Sequence, residues 1–171
     1  QQAVRIQKNG DFYISGKFKE FTEANTIPYF INYILELERA KKGKATIHAA
    51  AVSKNGKGIL ILGKQGSGKT SIALELCRKH SYSLIGNDLV LTGAKKGSGY
   101  LYGGTKFFRI RETTIKNYNQ DLKYFLKSNK NNDEWTRVAT IKPEEIQVIS
   151  EKSIIPIYAI YYVHLYPPNH D

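Results

Sequence analysis

The chain has 171 residues, 41% of them hydrophobic and 24% charged, with one cysteine and four histidines. That length fits a single domain with a genuine core, and the composition excludes a disordered chain, an internal disulfide framework and a Cys/His zinc site. Lysine and arginine number 26 against 15 acids, a formal charge of +11, which points to an anionic ligand or partner.

In chain order, the runs 4–7 and 12–18 flank Lys8-Asn9-Gly10-Asp11, and Asn-Gly between two strand-like runs predicts an N-terminal β-hairpin. Thr26 can cap a helix with Pro28 in its first turn. Its apolar residues Ile27, Phe30, Ile31, Ile34 and Leu35 fall at helical spacing, and it ends near Lys41-Lys42-Gly43. Residues 45–52 read as a strand, Asn55-Gly56 as a turn, and 58–62 as a buried strand. A helix follows over 70–79, with Cys77 among Ile72, Ala73 and Leu76 as a small core residue rather than a reactive thiol.

Residues 82–91 form the next strand, interrupted by Gly86-Asn87-Asp88, and a turn at 95–99 leads to short strands at 100–102 and 106–111. An amphipathic helix is expected over 112–128, with Ile115, Tyr118, Leu122, Phe125 and Leu126 on one side and Lys116, Lys123 and Lys127 on the wet side. A polar loop at 129–134 and two strand-like runs, 136–141 and 154–165, complete the chain. The apolar run 154–166 contains Pro156 and His164, is too short to cross a bilayer and reads as a buried strand, so no membrane partner is expected. Adjacent hairpins favour a mixed sheet over a purely parallel one.

Two features carry chemistry. Gly63-Lys64-Gln65-Gly66-Ser67-Gly68-Lys69-Thr70 matches G-x-x-x-x-G-K-[ST] in full, with the apolar strand Ile59-Leu60-Ile61-Leu62 before it and an apolar-periodic helix after it. Glycines let successive amides converge on phosphate oxygens, and the helix start adds its positive end. Lys69 is expected at the β- and γ-phosphates and Thr70 on Mg²⁺, so the cofactors are ATP and Mg²⁺. The second feature is focused charge: residues 105–130 hold seven basic residues (Lys106, Arg109, Arg111, Lys116, Lys123, Lys127, Lys130) against Glu112 and Asp121. Arg109 and Arg111 share one strand face, either solvated or gripping an anion.

The segments His48-Ala49-Ala50-Ala51-Val52, Gly58 to Gly63 with its loop, and Leu84-Ile85-Gly86-Asn87-Asp88 together resemble the HPr kinase/phosphorylase family, which shares a nucleotide fold with the phosphoenolpyruvate carboxykinases. The clear resemblance covers residues 45–92. It implies a mixed-sheet α/β P-loop fold of the HPr kinase C-terminal domain type, and ATP-dependent phosphorylation of a hydroxyl, usually serine, on a small protein or peptide. Asn87-Asp88 stands where the family has two aspartates, and Arg111 is the nearest match to a missing Glu-Arg-Gly hallmark, so the chain resembles a divergent member. The resemblance also makes His48 a partner that orients Asp88 or the acceptor.

The expected arrangement is one domain over residues 1–171, with hairpin and helix in 1–44 and the nucleotide-binding core in 45–171. Because the chain begins at Gln1, lacks methionine and stops just after a strand, material is expected to be missing at both ends. The expected catalytic residues are Asp88, His48, Lys69 and Arg111, with Thr70 and Asp88 on the metal. A small acidic protein or peptide is the expected partner. Nucleic acid is the second choice, a homo-oligomer is left open, and the cytoplasm is the expected compartment. A small-molecule acceptor, or a non-catalytic ATP-sensing module, are the rival functions.

Overall fold

Alternation along residues 44–54 decides the architecture. Ala49 and Ala51 face one way, Ala50 and Val52 the other, and all four are fully buried, so this strand must be covered on both faces. In the computed structural model, which describes residues 3–6, 12–15, 26–126 and 138–164, it is strand β3 (Lys44–Lys54). β3 turns at Asn55 (φ 52°) and Gly56 (φ 72°), a mirror-image turn suited to a hairpin, into antiparallel β4 (Lys57–Gly63). On its other edge β3 pairs antiparallel with β5 (Ser83–Lys95), which pairs antiparallel with β6 (Ser98–Gly104). β9 (Ile155–Val163) runs parallel to β4 and touches β6 only at Tyr100↔Pro156 and Leu101↔Ile155, closing a barrel in the order β3-β4-β9-β6-β5. The fold is α/β with a mixed sheet.

Each face has its own core. Ala49, Ala51, Leu60, Ile85, Val90, Leu101 and Ile155 come from all five barrel strands and form one cluster. Ala50, Val52 and Ile61 join Ala73, Leu74 and Cys77 of the helix Lys69–His80 in the other. That second cluster also takes Phe108 and Ile110 of β7 (Phe108–Arg111) and Ala139 and Ile141 of β8 (Val138–Ile141), which pair antiparallel. Burying residues this size contributes roughly 1.5–3 kcal/mol each for the larger aliphatic and aromatic side chains.

The chain divides into two compact units, Gln1–Gly43 and Lys44–Asp171. In the first, β1 (Ala3–Ile6) pairs antiparallel with β2 (Phe12–Ser15), and α1 spans Thr26–Lys41. The expected turn at Lys8-Asn9-Gly10-Asp11 lies outside the described residues, as does the polar loop at 129–134. The helix Lys69–His80 is α2.

Three expectations are corrected. The single helix over 112–128 is instead a short α3 (Glu112–Tyr118), a break at Asn119 (φ −141°, ψ 54°), and a 3-10 turn over Gln120–Phe125. Asparagine is a poor helix former, and Arg78 of α2 donates to Asn119 Oδ1 (3.2 Å) and pairs with Asp121, holding the segment sideways. Lys116 and Lys123 are exposed, as a wet side requires, with Lys116 pairing with Glu112 at 3.3 Å, but Tyr118 of the expected apolar side is exposed too, and Lys127 is outside the described residues. Nor is the run after Ile154 a buried strand. Tyr158 and Tyr162 of β9 are 69% and 63% exposed, because β6 pairs with only the first two residues of the strand. Among the described residues no helix is long and apolar enough to cross a membrane.

One close approach fixes the bend in β5. Gly86 and Gly104 touch backbone to backbone, and a Cβ on Gly104 would lie 2.3 Å from the Leu89 carbonyl oxygen and 2.9 Å from Gly86 Cα. Gly104→Ala is therefore expected to destabilise the fold by about 1–3 kcal/mol, the usual cost of overpacking. Urea unfolding checks it, and a loss below about 0.5 kcal/mol, typical of an uneventful surface change, would show that the contact can relax.

Candidate functional site

β4 delivers the loop. It ends at Gly63, and the chain then curls through Gly66 (φ 80°) and Gly68 (φ 90°), left-handed conformations that favour glycine. α2 begins at Lys69, and its first intrahelical bond, Ile72 N–H to the Gly68 carbonyl (2.9 Å), leaves the preceding amides at the helix start without helical acceptors. Those amides and the helix dipole make a ready anion site. Lys69 is 7% exposed, and its Nζ donates to the carbonyls of Gly63 and Lys64, both at 2.9 Å. Burial holds its ammonium below the ordinary lysine range, while the negative charge of Asp88 pulls it back up.

The facing wall comes from three strands and a helix start. Asp88 projects from the bend in β5 with φ 74°, and its Oδ1 sits 3.2 Å from Nδ1 of His48 on β3. Neighbouring Asn87 is buried. Its Nδ2 donates to the Phe107 carbonyl (3.1 Å), and its Oδ1 has no hydrogen-bond partner among the described residues. β7 adds Arg109 and Arg111, and α3 adds Thr113 and Thr114. Together with the loop these residues enclose a cavity of about 360 Å³. Its lining carries Lys69, Arg109 and Arg111 against the single carboxylate of Asp88, so an anion is the ligand it favours. Among the described residues Ala49 and Ile110 are its only aliphatic liners, and no Phe, Tyr or Trp ring lines it.

Of the residues singled out in the sequence, His48, Gln65, Gly66, Gly68, Lys69, Thr70, Asp88 and Arg111 all line this cavity. Gly63, Lys64 and Ser67 do not. Lys64 and Ser67 instead line, with Gln65, Gly66, Val163 and His164, a smaller cavity of about 180 Å³. Sequence inspection missed Ser71, Thr113 and Thr114. The two threonines follow Arg111 at the strand-to-helix junction, where small polar residues look like an ordinary first turn, and only the position of β7 brings them to the cavity. The basic segment also resolves differently from a single patch. Lys106 is turned inward, donating to the carbonyls of Leu84 (3.1 Å), Ile85 and Glu151 (2.8 Å), and burial lowers its pKa.

Among the described residues no group of three or more His, Cys, Asp or Glu side chains is placed to hold a metal ion. The hard oxygen donors Thr70 and Asp88 share the cavity, a set suited to magnesium that arrives with phosphates and keeps several waters.

No family model matches the chain, and no curated protein matches it. Among solved structures it is similar to the Hpr(Ser) kinase/phosphatase from Coxiella burnetii, at 14% sequence identity and a TM-score of 0.44, with 74% of this chain and 68% of that one covered. An overlap that loose assigns neither family nor activity, so the functional conclusion rests on the cavity.

The loop itself yields a test. Ser67 is 5% exposed and its hydroxyl finds no hydrogen-bond partner among the described residues. An unsatisfied buried polar group costs about 1–3 kcal/mol, so Ser67→Ala is expected to leave stability unchanged or raise it. A urea midpoint that falls by more than about 1 kcal/mol in free energy would mean that the hydroxyl is satisfied.

Proposed function

We propose that this protein binds a nucleoside triphosphate with Mg²⁺ in the larger cavity and transfers its γ-phosphoryl group to a hydroxyl on a small acidic protein or peptide. One observation carries the proposal: the complete phosphate-loop sequence sits between a buried strand and a helix start, and it faces a wall bearing a carboxylate and two arginines across about 360 Å³. Amides of residues 66–70 and the Lys69 ammonium suit the β- and γ-phosphates. Thr70 and Asp88 would hold the metal, which supplies charge neutralisation between those phosphates when bound.

Among the described residues Asp88 is also the only carboxylate lining the cavity, and so the group available to accept a proton from the acceptor hydroxyl. In that step the acceptor O–H gives its proton to Asp88, its oxygen bonds to the γ-phosphorus, and the bond to the β-phosphate oxygen breaks to release the diphosphate. His48, 3.2 Å away, orients the carboxylate, and Arg111 meets charge on the transferred group. The cationic lining favours an acidic acceptor. Nucleic acid recognition has weaker support, because of the five basic residues in 105–126 two line the cavity, Lys106 is turned inward, Lys116 pairs with Glu112, and only Lys123 stands exposed outside these roles.

Binding is tested by heat. ATP with Mg²⁺ is expected to raise the melting temperature of the parent chain but to move that of Lys69→Ala little, and equal shifts in both would remove the nucleotide from this loop. Turnover tests the chemistry: Asp88→Asn should still bind ATP yet hydrolyse or transfer its phosphate at least about 10²-fold more slowly, the lower range for a general base. Release of labelled phosphate within about threefold of the parent, well inside that range, would make Asp88 structural. Chelation of Mg²⁺ by EDTA is expected to abolish the turnover of the parent.

A further inference from the structure

Asp88 holds a left-handed backbone (φ 74°) inside a strand, a conformation uncommon for non-glycine residues although aspartate tolerates it better than most, and one that breaks the strand's own geometry. Beside it lies Thr105, in the turn between β6 and β7. Its main chain brackets Asp88: the Asn87 amide donates to the Thr105 carbonyl (2.9 Å), and the Thr105 amide donates to the Leu89 carbonyl (3.0 Å). Its side chain closes the same bracket. Thr105 Oγ1 donates to the Asn87 carbonyl and accepts from the Leu89 amide at 3.3 Å. One hydroxyl thus ties the peptide group before Asp88 to the one after it. Only a hydroxyl can give to one and take from the other, so valine, of similar shape, cannot replace it. Thr105 does not line the cavity.

We infer that Thr105 is a positioning residue, whose hydroxyl holds Asp88 in the conformation that aims its carboxylate across the cavity at the phosphate loop. The inference rests on the phosphoryl-transfer function proposed above. The bracket also explains why Gly86 and Gly104 must touch, since a side chain at either would push the Thr105 turn away from β5.

Thr105→Val removes the hydroxyl and leaves the loop and Lys69 alone. Displacing a reacting group by about 1 Å can cost on the order of 10²-fold, so kcat for ATP turnover is expected to fall about tenfold or more while KM for ATP stays within about twofold. Thr105→Ser, which keeps the hydroxyl, should restore kcat to within about threefold of the parent, well inside that loss. The decisive measurement is the double mutant. In an Asp88→Asn background, Thr105→Val should slow turnover no further, because a residue acting through Asp88 has nothing left to position.

Parent-like kcat in Thr105→Val, an unrescued loss in Thr105→Ser, or additive losses in the double mutant would each overturn the inference while leaving the proposed function standing. Unchanged turnover in Asp88→Asn alone would overturn both. If Thr105→Val does not fold, Thr105→Ala carries the same test, and failure of both to fold makes Thr105 a stability residue and refutes the positioning role.

Discussion

β4 is hydrogen-bonded along both edges, antiparallel to β3 and parallel to β9, and a strand gripped on both sides cannot slide. Its last residue, Gly63, therefore leaves the sheet at a fixed place and in a fixed direction. The loop, the start of α2 and the cavity all take their positions from that exit. α2 is seated in turn by Ala73, Leu74 and Cys77 against Ala50, Val52 and Ile61, where the small alanine of β3 lets the helix come close. The site is thus an extension of the core, built on rigid elements where a misplacement of a fraction of an ångström matters.

Within that frame the lysine of the loop is already satisfied before any ligand arrives. A buried ammonium without partners would be costly, and Lys69 meets the need with two carbonyls of its own loop. On the proposed function, a phosphate would exchange for those bonds rather than simply fill a space. The same economy appears at Lys106, which three carbonyls hold between β5 and the segment around Glu151. Both cations belong to the formal excess of charge, yet of the two only Lys69 lines the cavity.

What was legible in the sequence is what short-range physics controls. The glycine-rich turn after β4, its flanking strand and helix, the Asn55-Gly56 hairpin and the bounds of α1 follow from glycine placement and apolar period. The pairing of Arg109 and Arg111 on one face of β7 follows from strand alternation. What escaped depends on partners far along the chain. Asn119 breaks the predicted helix because Arg78 reaches it from α2, and Lys106 looks like surface charge until Glu151 comes to meet it. The run after Ile154 is apolar enough for a core strand, but composition does not say that β6 stops after two residues of pairing. At the site, Thr113 and Thr114 sit in the first turn of a helix whose start at residue 112 was legible, but the sequence does not say that this turn faces the loop.

Cys77 lies in the core on the buried face of α2, 6% exposed, and burial pushes its thiol up to about 12. It is the single cysteine of the chain. At neutral pH the thiolate that reacts with alkylating reagents is scarce in the folded protein. The folded protein is therefore almost silent to maleimide chemistry. A cysteine introduced on the cavity rim could carry a fluorophore without first removing the native one. Conversely, any modification of Cys77 itself would count the moments when α2 lifts from the sheet, so its labelling rate measures local opening of the helix that follows the loop.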